Sequence, residues 1–462
     1  MPFFIRKRKP EKQGAAPHKW KVQKLKKKNV EDTVIESGES DDSENDDVVS
    51  SSDDDDKYIT AQEKKVQLAK KLLAEVERVE KEKLANEDDL DNVVLKRLKD
   101  SELEKIGKLK KKVADIVEFD IDNAISLHCK QHGLSITCLV VSRDNRHLFS
   151  SSKDRTIVRW SLTDHCKLNS IAFKHKKKKN GVSDRKSDNY HNSTINCLDV
   201  SRDDKYLISG DDKGIINVWL SDSLNHVHKF QAHKNSVTDL AVCWETNSLY
   251  SSSKDALVKV WSLDELGYME SLFGHQSTIT SVDVLNSNRV VTSGGTDKTL
   301  RVWKIQEESQ LVYNGHDASI DLVKKLDEEY FVSCGDDGAL CLWGILKKKP
   351  LNVVTKAHGV CPQNNEPNWI TALAVYPSSD LVASGSCDGF IRLWKWSQNT
   401  RTITSLSTIP VTGFVNEIQF TSDGRYLVAG IAKEHRLGRW QNFKEAKNQI
   451  LCIPMKINTE SH

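Results

Sequence analysis

Long apolar runs are missing from this chain. Nothing approaches the roughly 20 apolar residues of a membrane-spanning helix, and Phe3, Phe4 and Ile5 are too short a run for a secretory signal. A membrane partner is therefore not expected. The ten cysteines include no CxxC pair, and Cys138, Cys197, Cys243 and Cys341 fall within apolar, strand-like runs. They read as reduced core thiols of an intracellular protein. HCKQH (128–132) has metal-type residues but no second cluster to complete a ligand set, so no metal site is assigned. Also absent are a phosphate loop, a nucleophile elbow and any carboxylate pair that spacing would bring together. No catalytic residue, cofactor or small-molecule substrate is assigned, and an enzyme is disfavoured.

Lysine and arginine are absent from residues 31–56, which carry thirteen Asp/Glu, whereas residues 1–30 carry eleven Lys/Arg against one Glu. The net charge of +2 conceals this asymmetry. Such blocks repel themselves and stay solvated, so residues 1–59 are expected to be a disordered tail. Its two basic clusters, Arg6, Lys7, Arg8 and Lys9, then Lys24, Lys26, Lys27 and Lys28, have the composition of a nuclear import signal or a nucleic-acid-binding arm. Trp20, in the second cluster, suits stacking on a base or filling a partner's pocket. Ser40, Ser43 and Ser50 to Ser52 lie beside acidic residues, where phosphorylation would deepen the negative charge. Residues 60–118 read as a charged helical extension. One helix is opened by a Thr60–Glu63 capping box; a second, from Ser101, carries Ile106, Leu109, Val113 and Ile116.

Beyond this extension the chain repeats. Trp160, Trp219, Trp261, Trp303, Trp343, Trp394 and Trp440 are spaced by 59, 42, 42, 40, 51 and 46 residues. A period of 40–45 ending in an apolar-x-Trp strand marks a four-stranded propeller blade. Asp stands six residues before Trp in five repeats (Asp154, Asp255, Asp297, Asp337, Asp388). Ser stands ten before it in six (Ser150, Ser209, Ser251, Ser293, Ser333, Ser384). A His opens each of these six units: His132, His191, His233, His275, His316 and His358. In these positions the chain resembles the WD40 family, and the resemblance implies a structural hydrogen-bonded tetrad in each blade. In the second repeat Lys213 occupies the Asp position, with Asp212 one step early, so an incomplete tetrad is expected there. The seventh repeat has Val411, Gly430 and Glu434 at the tetrad positions but keeps Trp440 as its strand tryptophan.

The fold expected is all-β: a seven-bladed WD40 propeller over residues 119–456 with a degenerate last blade, and residues 457–462 as a tail. Two segments compete to complete that blade, AISLHCKQH (124–132) and NQILCIPM (448–455). Insertions at 174–190 and 359–368 flank tetrad histidines, which puts both on one propeller face. The first contains KHKKKKNGVSDRKSD (174–188), and Lys174, Lys176, Lys177, Lys178, Lys179, Arg185 and Lys186 are its candidates for phosphate. His435, Arg436 and Arg439 form a third candidate site; Arg436 suits an intramolecular ion pair equally well.

Function does not follow from a propeller alone. An RNA-associated subunit, a nuclear scaffold or chromatin or phosphopeptide reader without direct RNA binding, and a ubiquitin-ligase receptor all use this fold. The Trp-Asp-x-Arg of the last class is absent after every blade tryptophan. GHQSTITSVDVL (274–285), KIQEESQLVYNGHDASID (304–321) and GRYLVAGIAKEHRLGRW (424–440) lie in a chain with a basic tail, an acidic serine block and charged helices. Together they resemble the family of WD40 proteins specific to the U3 small nucleolar ribonucleoprotein, from about residue 60 to 455. That resemblance implies a non-catalytic nucleolar subunit. Its partners would be the box B/C region of U3 small nucleolar RNA, the kink-turn-binding core protein beside it and other small-subunit processome proteins, acting in early processing of pre-18S ribosomal RNA.

Overall fold

In the third repeat, Val237–Cys243, Ser248–Ser253, Leu257–Ser262 and Gly267–Phe273 pair in chain order as an antiparallel meander. Leu249, Val258, Val260 and Trp261 are buried, with Lys259 alone standing between the two valines, so the inner strands are packed on both faces against the neighbouring blades. Sheets of this kind start at Ile136, Ile195, Val237, Ile279, Ile320, Ala372 and Phe414. Their first strands pack side by side in a ring, and the last, Phe414–Phe420, lies beside the first, Ile136–Val141. The architecture is a seven-bladed β-propeller. Its computed structural model describes residues 111–171, 190–361 and 365–457, with the isolated Lys70. The charged tail, most of the helical extension, the lysine run and residues 458–462 lie outside the described residues.

Six blades carry the polar relay. In blade 5 the Trp343 indole N–H donates to Ser333 Oγ at 2.8 Å, Ser333 Oγ meets His316 Nε2 at 2.7 Å, and His316 Nδ1 meets Asp337 at 2.8 Å. Every atom is satisfied when the serine hydroxyl donates to Nε2 and Nδ1–H donates to the carboxylate, which is the condition for burying such groups. Blades 3 and 6 repeat this with His233, Ser251, Asp255 and Trp261, and with His358, Ser384, Asp388 and Trp394.

Three blades depart from the sequence count. In blade 2 the tetrad is complete: Asp211, at the end of Tyr206–Asp211, reaches His191 Nδ1 at 3.1 Å, so neither Lys213 nor Asp212 is needed. In blade 4 the hydroxyl between His275 and Trp303 belongs to Thr292, at 2.8 Å from each, not to Ser293. The turn after Arg289–Gly294 is one residue longer than its counterparts, so counting back from Trp303 lands one place late. Ser293 bonds Thr280 Oγ1 instead. In blade 1, His132 Nδ1 meets Thr156 Oγ1 at 2.8 Å, and the Thr156 hydroxyl passes the relay to Asp154, which also accepts from Gly133 N–H.

Blade 7 closes the ring with both candidate segments. Gln449–Ile457 is its third strand, and Val117–Phe119 and Ile125–Leu127 pair antiparallel to its outer edge. Ile453, opposite Leu427 and fully buried, fills the place that tryptophan takes in the other blades, where Trp261 stands opposite Leu249 and Trp343 opposite Phe331. Trp440 is thus not the blade tryptophan; it lies in the connection between Tyr426–Ala432 and Gln449–Ile457 and is 58% exposed. The expected second helix does not include residues 111–116; the rest of it lies outside the described residues. Residues 111–116 form a bridge from Lys111 to Ser379 and a turn in which Val113 and Ala114 donate to Asp380 Oδ1.

Side chains link neighbouring blades at the innermost strands. Thr238 donates to Ile279 O, Thr280 to Ile320 O and Thr371 to Val415 O, at 2.6–2.7 Å. Across the closing seam Asn416 donates to Ile136 O at 2.8 Å, and Val141 N–H donates to Gln419 Oε1 at 2.8 Å. All ten cysteines are free, and Cys138, Cys197, Cys243 and Cys341 are buried.

Replacing Asp297 with Ala leaves His275 Nδ1 without its acceptor. Urea unfolding should show a loss of about 1–3 kcal/mol. Burial pushes the Asp297 carboxyl up, but hydrogen bonds from His275 and Thr299 outweigh it and hold the pKa below 3.8. Asp211, Asp337 and Asp388 are depressed in the same manner. Their contribution is complete above the ordinary carboxyl value and disappears as pH falls through the lower folded values, so acid should narrow the gap between wild type and Asp297→Ala.

Candidate nucleic-acid interface

In blades 1–6 the tetrad histidine precedes the first strand and the tetrad aspartate ends or follows the second, so both mark one face of the propeller. Residues 359–361 and 365–368 of the second insertion and the 433–448 connection open on that face. Ile171 and Tyr190, which flank the lysine run, also lie at a connection from an outer strand to the next inner one. The candidates Lys174, Lys176, Lys177, Lys178, Lys179, Arg185 and Lys186 themselves lie outside the described residues, as do the basic clusters of the tail.

The 433–448 segment is held from three blades. Asn416 in blade 7 clamps it, donating to Glu434 O at 3.1 Å and accepting from Arg436 N–H at 3.1 Å. Lys153 of blade 1 donates through Nζ to His435 O at 2.5 Å and Gly438 O at 3.0 Å. Trp369 of blade 6 stacks on His435, with ring centroids 4.7 Å apart and planes at 21°. Trp440 packs against the same pair, 5.2 Å from His435 and 5.5 Å from Trp369. Burial, then the cations Arg436 and Lys153, push His435 down to about 3. Its Nδ1 accepts from Leu437 N–H at 3.2 Å, consistent with a neutral ring protonated on Nε2.

The three candidates in this segment therefore differ. His435 is buried as the centre of an aromatic cluster. Arg436 turns inward, its Nη1 3.7 Å from Glu417 Oε2, with both side chains largely buried. This is an intramolecular ion pair. Arg439 is 63% exposed and touches Glu434 through Nε at 3.2 Å. Of the three, Arg439 is the one available to a partner.

A charged cluster along the ring's interior was not anticipated. Asp239, Asp283, Lys324 and Glu417 all come from innermost strands. Burial pushes the Glu417 carboxyl up to about 7, against the pull of Lys324 and Arg436. Burial alone would lower the Lys324 ammonium, but Asp239, Asp283 and Glu417 overcome it and raise it. The available signal was a charge inside an otherwise apolar strand, as in FVNEIQF and ITSVDVLN. Among the described residues no group of three or more His, Cys, Asp or Glu is arranged to hold a metal. Both ring nitrogens of His132, from the HCKQH segment, are engaged by Thr156 and Ser150.

Blades, tetrads and closure define a WD40-repeat protein. The family "WD domain, G-beta repeat" matches at residues 125–161, 186–219, 224–262, 268–304, 307–344 and 357–395. The chain is 48% identical over 399 residues to the U3 small nucleolar RNA-interacting protein 2 of Mus musculus, covering 86% of this chain and 82% of that protein. It is 34% identical over 165 residues to the Ribosomal RNA-processing protein 9 of Saccharomyces cerevisiae, 29% of either chain. The solved structure of U3-55K superposes with a TM-score of 0.68 at 42% identity, over 73% of this chain and all of that one. The protein belongs to the family of these U3 small nucleolar ribonucleoprotein-specific WD40 proteins.

Replacing Arg436 with Ala leaves Glu417 buried without its nearest cation. Thermal or urea unfolding should register a loss of about 1–3 kcal/mol. Because the His435 pKa is lower in the folded state, wild-type stability should fall as pH drops from about 6.5 toward about 3. His435→Phe should have a shallower dependence across that window, read from unfolding midpoints at several pH values.

Proposed function

We propose that this protein is a non-catalytic, RNA-associated subunit of the U3 small nucleolar ribonucleoprotein, acting in ribosome biogenesis within the nucleolus. The observation that carries this reading is the 48% identity, extending over 86% of the chain, to a protein named for its interaction with U3 small nucleolar RNA. The finer assignment is the box B/C region of that RNA, beside the kink-turn-binding core protein, in the small-subunit processome during early processing of pre-18S ribosomal RNA.

The tetrad face supports the reading by its chemistry. Its 433–448 segment carries five Lys/Arg against two Glu, and the lysine run enters the chain between blades 1 and 2. Ribonucleoprotein assembly needs a rigid frame, cations for phosphate and exposed aromatic rings for unpaired bases. The four tetrad aspartates depressed by their histidines belong to the frame rather than to any reaction. Arg436, committed to Glu417 within the molecule, orders the segment from beneath. The basic tail supplies the import signal, and the acidic serine block competes with RNA for basic surface or binds basic assembly proteins.

Binding of purified full-length protein to U3 small nucleolar RNA at several salt concentrations tests this reading. Neutralising Lys176, Lys177, Lys178 and Lys179 together should weaken binding and flatten the slope of log affinity against log salt by nearly one unit per lost contact. An unchanged slope would remove the lysine run from the interface. Deleting residues 1–30 should leave the propeller folded but exclude the protein from the nucleus; normal nucleolar enrichment on imaging would count against the import role.

A further inference from the structure

We propose that Trp440 is a stacking platform for one unpaired base of the RNA, with Arg439 placed for the adjoining phosphate. The inference rests on the reading that RNA meets the tetrad face, and it specifies single-stranded nucleotide there. It begins from a large ring in an unfavourable place. Trp440 is 58% exposed, and leaving so much aromatic surface in water forfeits burial free energy. Its neighbour Leu437 is 60% exposed.

The ring is exposed without being loose. It packs 5.2 Å from His435 and 5.5 Å from Trp369, and that pair is itself stacked. Gly438 lies directly against it: a Cβ at that position would come within 1.6 Å of the Trp440 ring. Glycine is therefore required for the ring to lie where it does. Lys153 fixes the backbone on either side through the carbonyls of His435 and Gly438. A ring ordered in advance loses little entropy on binding.

The surroundings select a nucleotide. Arg439 is 63% exposed next to the ring, and its one carboxylate neighbour, Glu434, is also shared with Lys153 at 3.8 Å. A flat π-surface beside a cation matches a base joined to its phosphate. Paired bases in an A-form helix present no free face to such a ring, so the ligand is a nucleotide in a loop, bulge or open strand.

The test uses full-length protein and transcribed U3 small nucleolar RNA. Trp440→Ala should weaken binding about tenfold without changing the salt slope, and Trp440→Phe should retain most of the affinity. Arg439→Ala should instead lower the slope by about one unit. Scanning the unpaired nucleotides with abasic sites should reveal one whose loss weakens the wild type as much as Trp440→Ala and adds nothing in that variant. Thermal melting of each variant excludes misfolding. If wild type binds but Trp440→Ala binds equally well, the platform is refuted while the RNA reading stands. If wild type fails to bind U3 RNA, both fall. If Trp440→Ala loses a ribonuclease-resistant protein partner and no RNA affinity, the surface is a protein-docking site and the proposal is overturned.

Discussion

Pairing of Gln449–Ile457 with Tyr426–Ala432 on one side and with the amino-terminal strands on the other is the constraint on which the rest depends. It closes the ring, and an open edge would leave a row of unpaired backbone groups. It also determines that the 433–448 segment is a connection and not a strand. Because the third strand comes from beyond this segment, EHRLGRW is free to lie across the tetrad face. Anchors from blades 1 and 6, Lys153 and Trp369, reach it only when the ring is closed.

Polar groups inside this propeller serve two different ends. The tetrads are relays ending on an ionised aspartate, in which each donor has one acceptor, and they fix the strand pairing within a blade. The cluster of Asp239, Asp283, Lys324, Glu417 and Arg436 is a charged network spanning several blades. Burying such charges is costly unless they are paired; here Arg436 pairs with Glu417 within blade 7, and Asp239, Asp283 and Glu417 from other blades favour the charged form of Lys324. Blade 7 has no tetrad; it contributes Glu417 to this network and Asn416 and Gln419 to the seam with blade 1. Its degeneracy as a repeat is thus matched by its role in closure.

Much of this was legible in the sequence because the blade repeats a chemical requirement. Trp, Ser, His and Asp recur at fixed distances when the turns between them keep one length. Thr292 and Asp211 were missed because a turn in blade 4 is longer by one residue and the aspartate of blade 2 sits on the strand end. Thr156 was missed because it occupies no counted position, although its hydroxyl completes the blade 1 relay. Trp440 illustrates the opposite error. It stands at a plausible spacing, yet the place of the blade tryptophan, opposite Leu427, is taken by Ile453. Spacing reports a register only where no insertion intervenes. Val113 and Ile116 fit a helical stripe, but the backbone bonds of Val113 and Ala114 to Asp380 draw that segment into a turn. Arg436 and Arg439 are three residues apart and equally basic; only the fold separates the one buried against Glu417 from the one facing outward.

The central claim is that a member of this family meets U3 RNA through its tetrad face, at the segment that ring closure leaves free. The most direct measurement is ultraviolet crosslinking of the full-length protein in cells, with sequencing of the recovered RNA and mass spectrometry of the crosslinked peptide. The account predicts enrichment of U3 small nucleolar RNA and crosslinks within residues 433–448 or the lysine run. Recovery of no preferred small nucleolar RNA, or U3 crosslinks confined to the opposite face of the propeller, would contradict it.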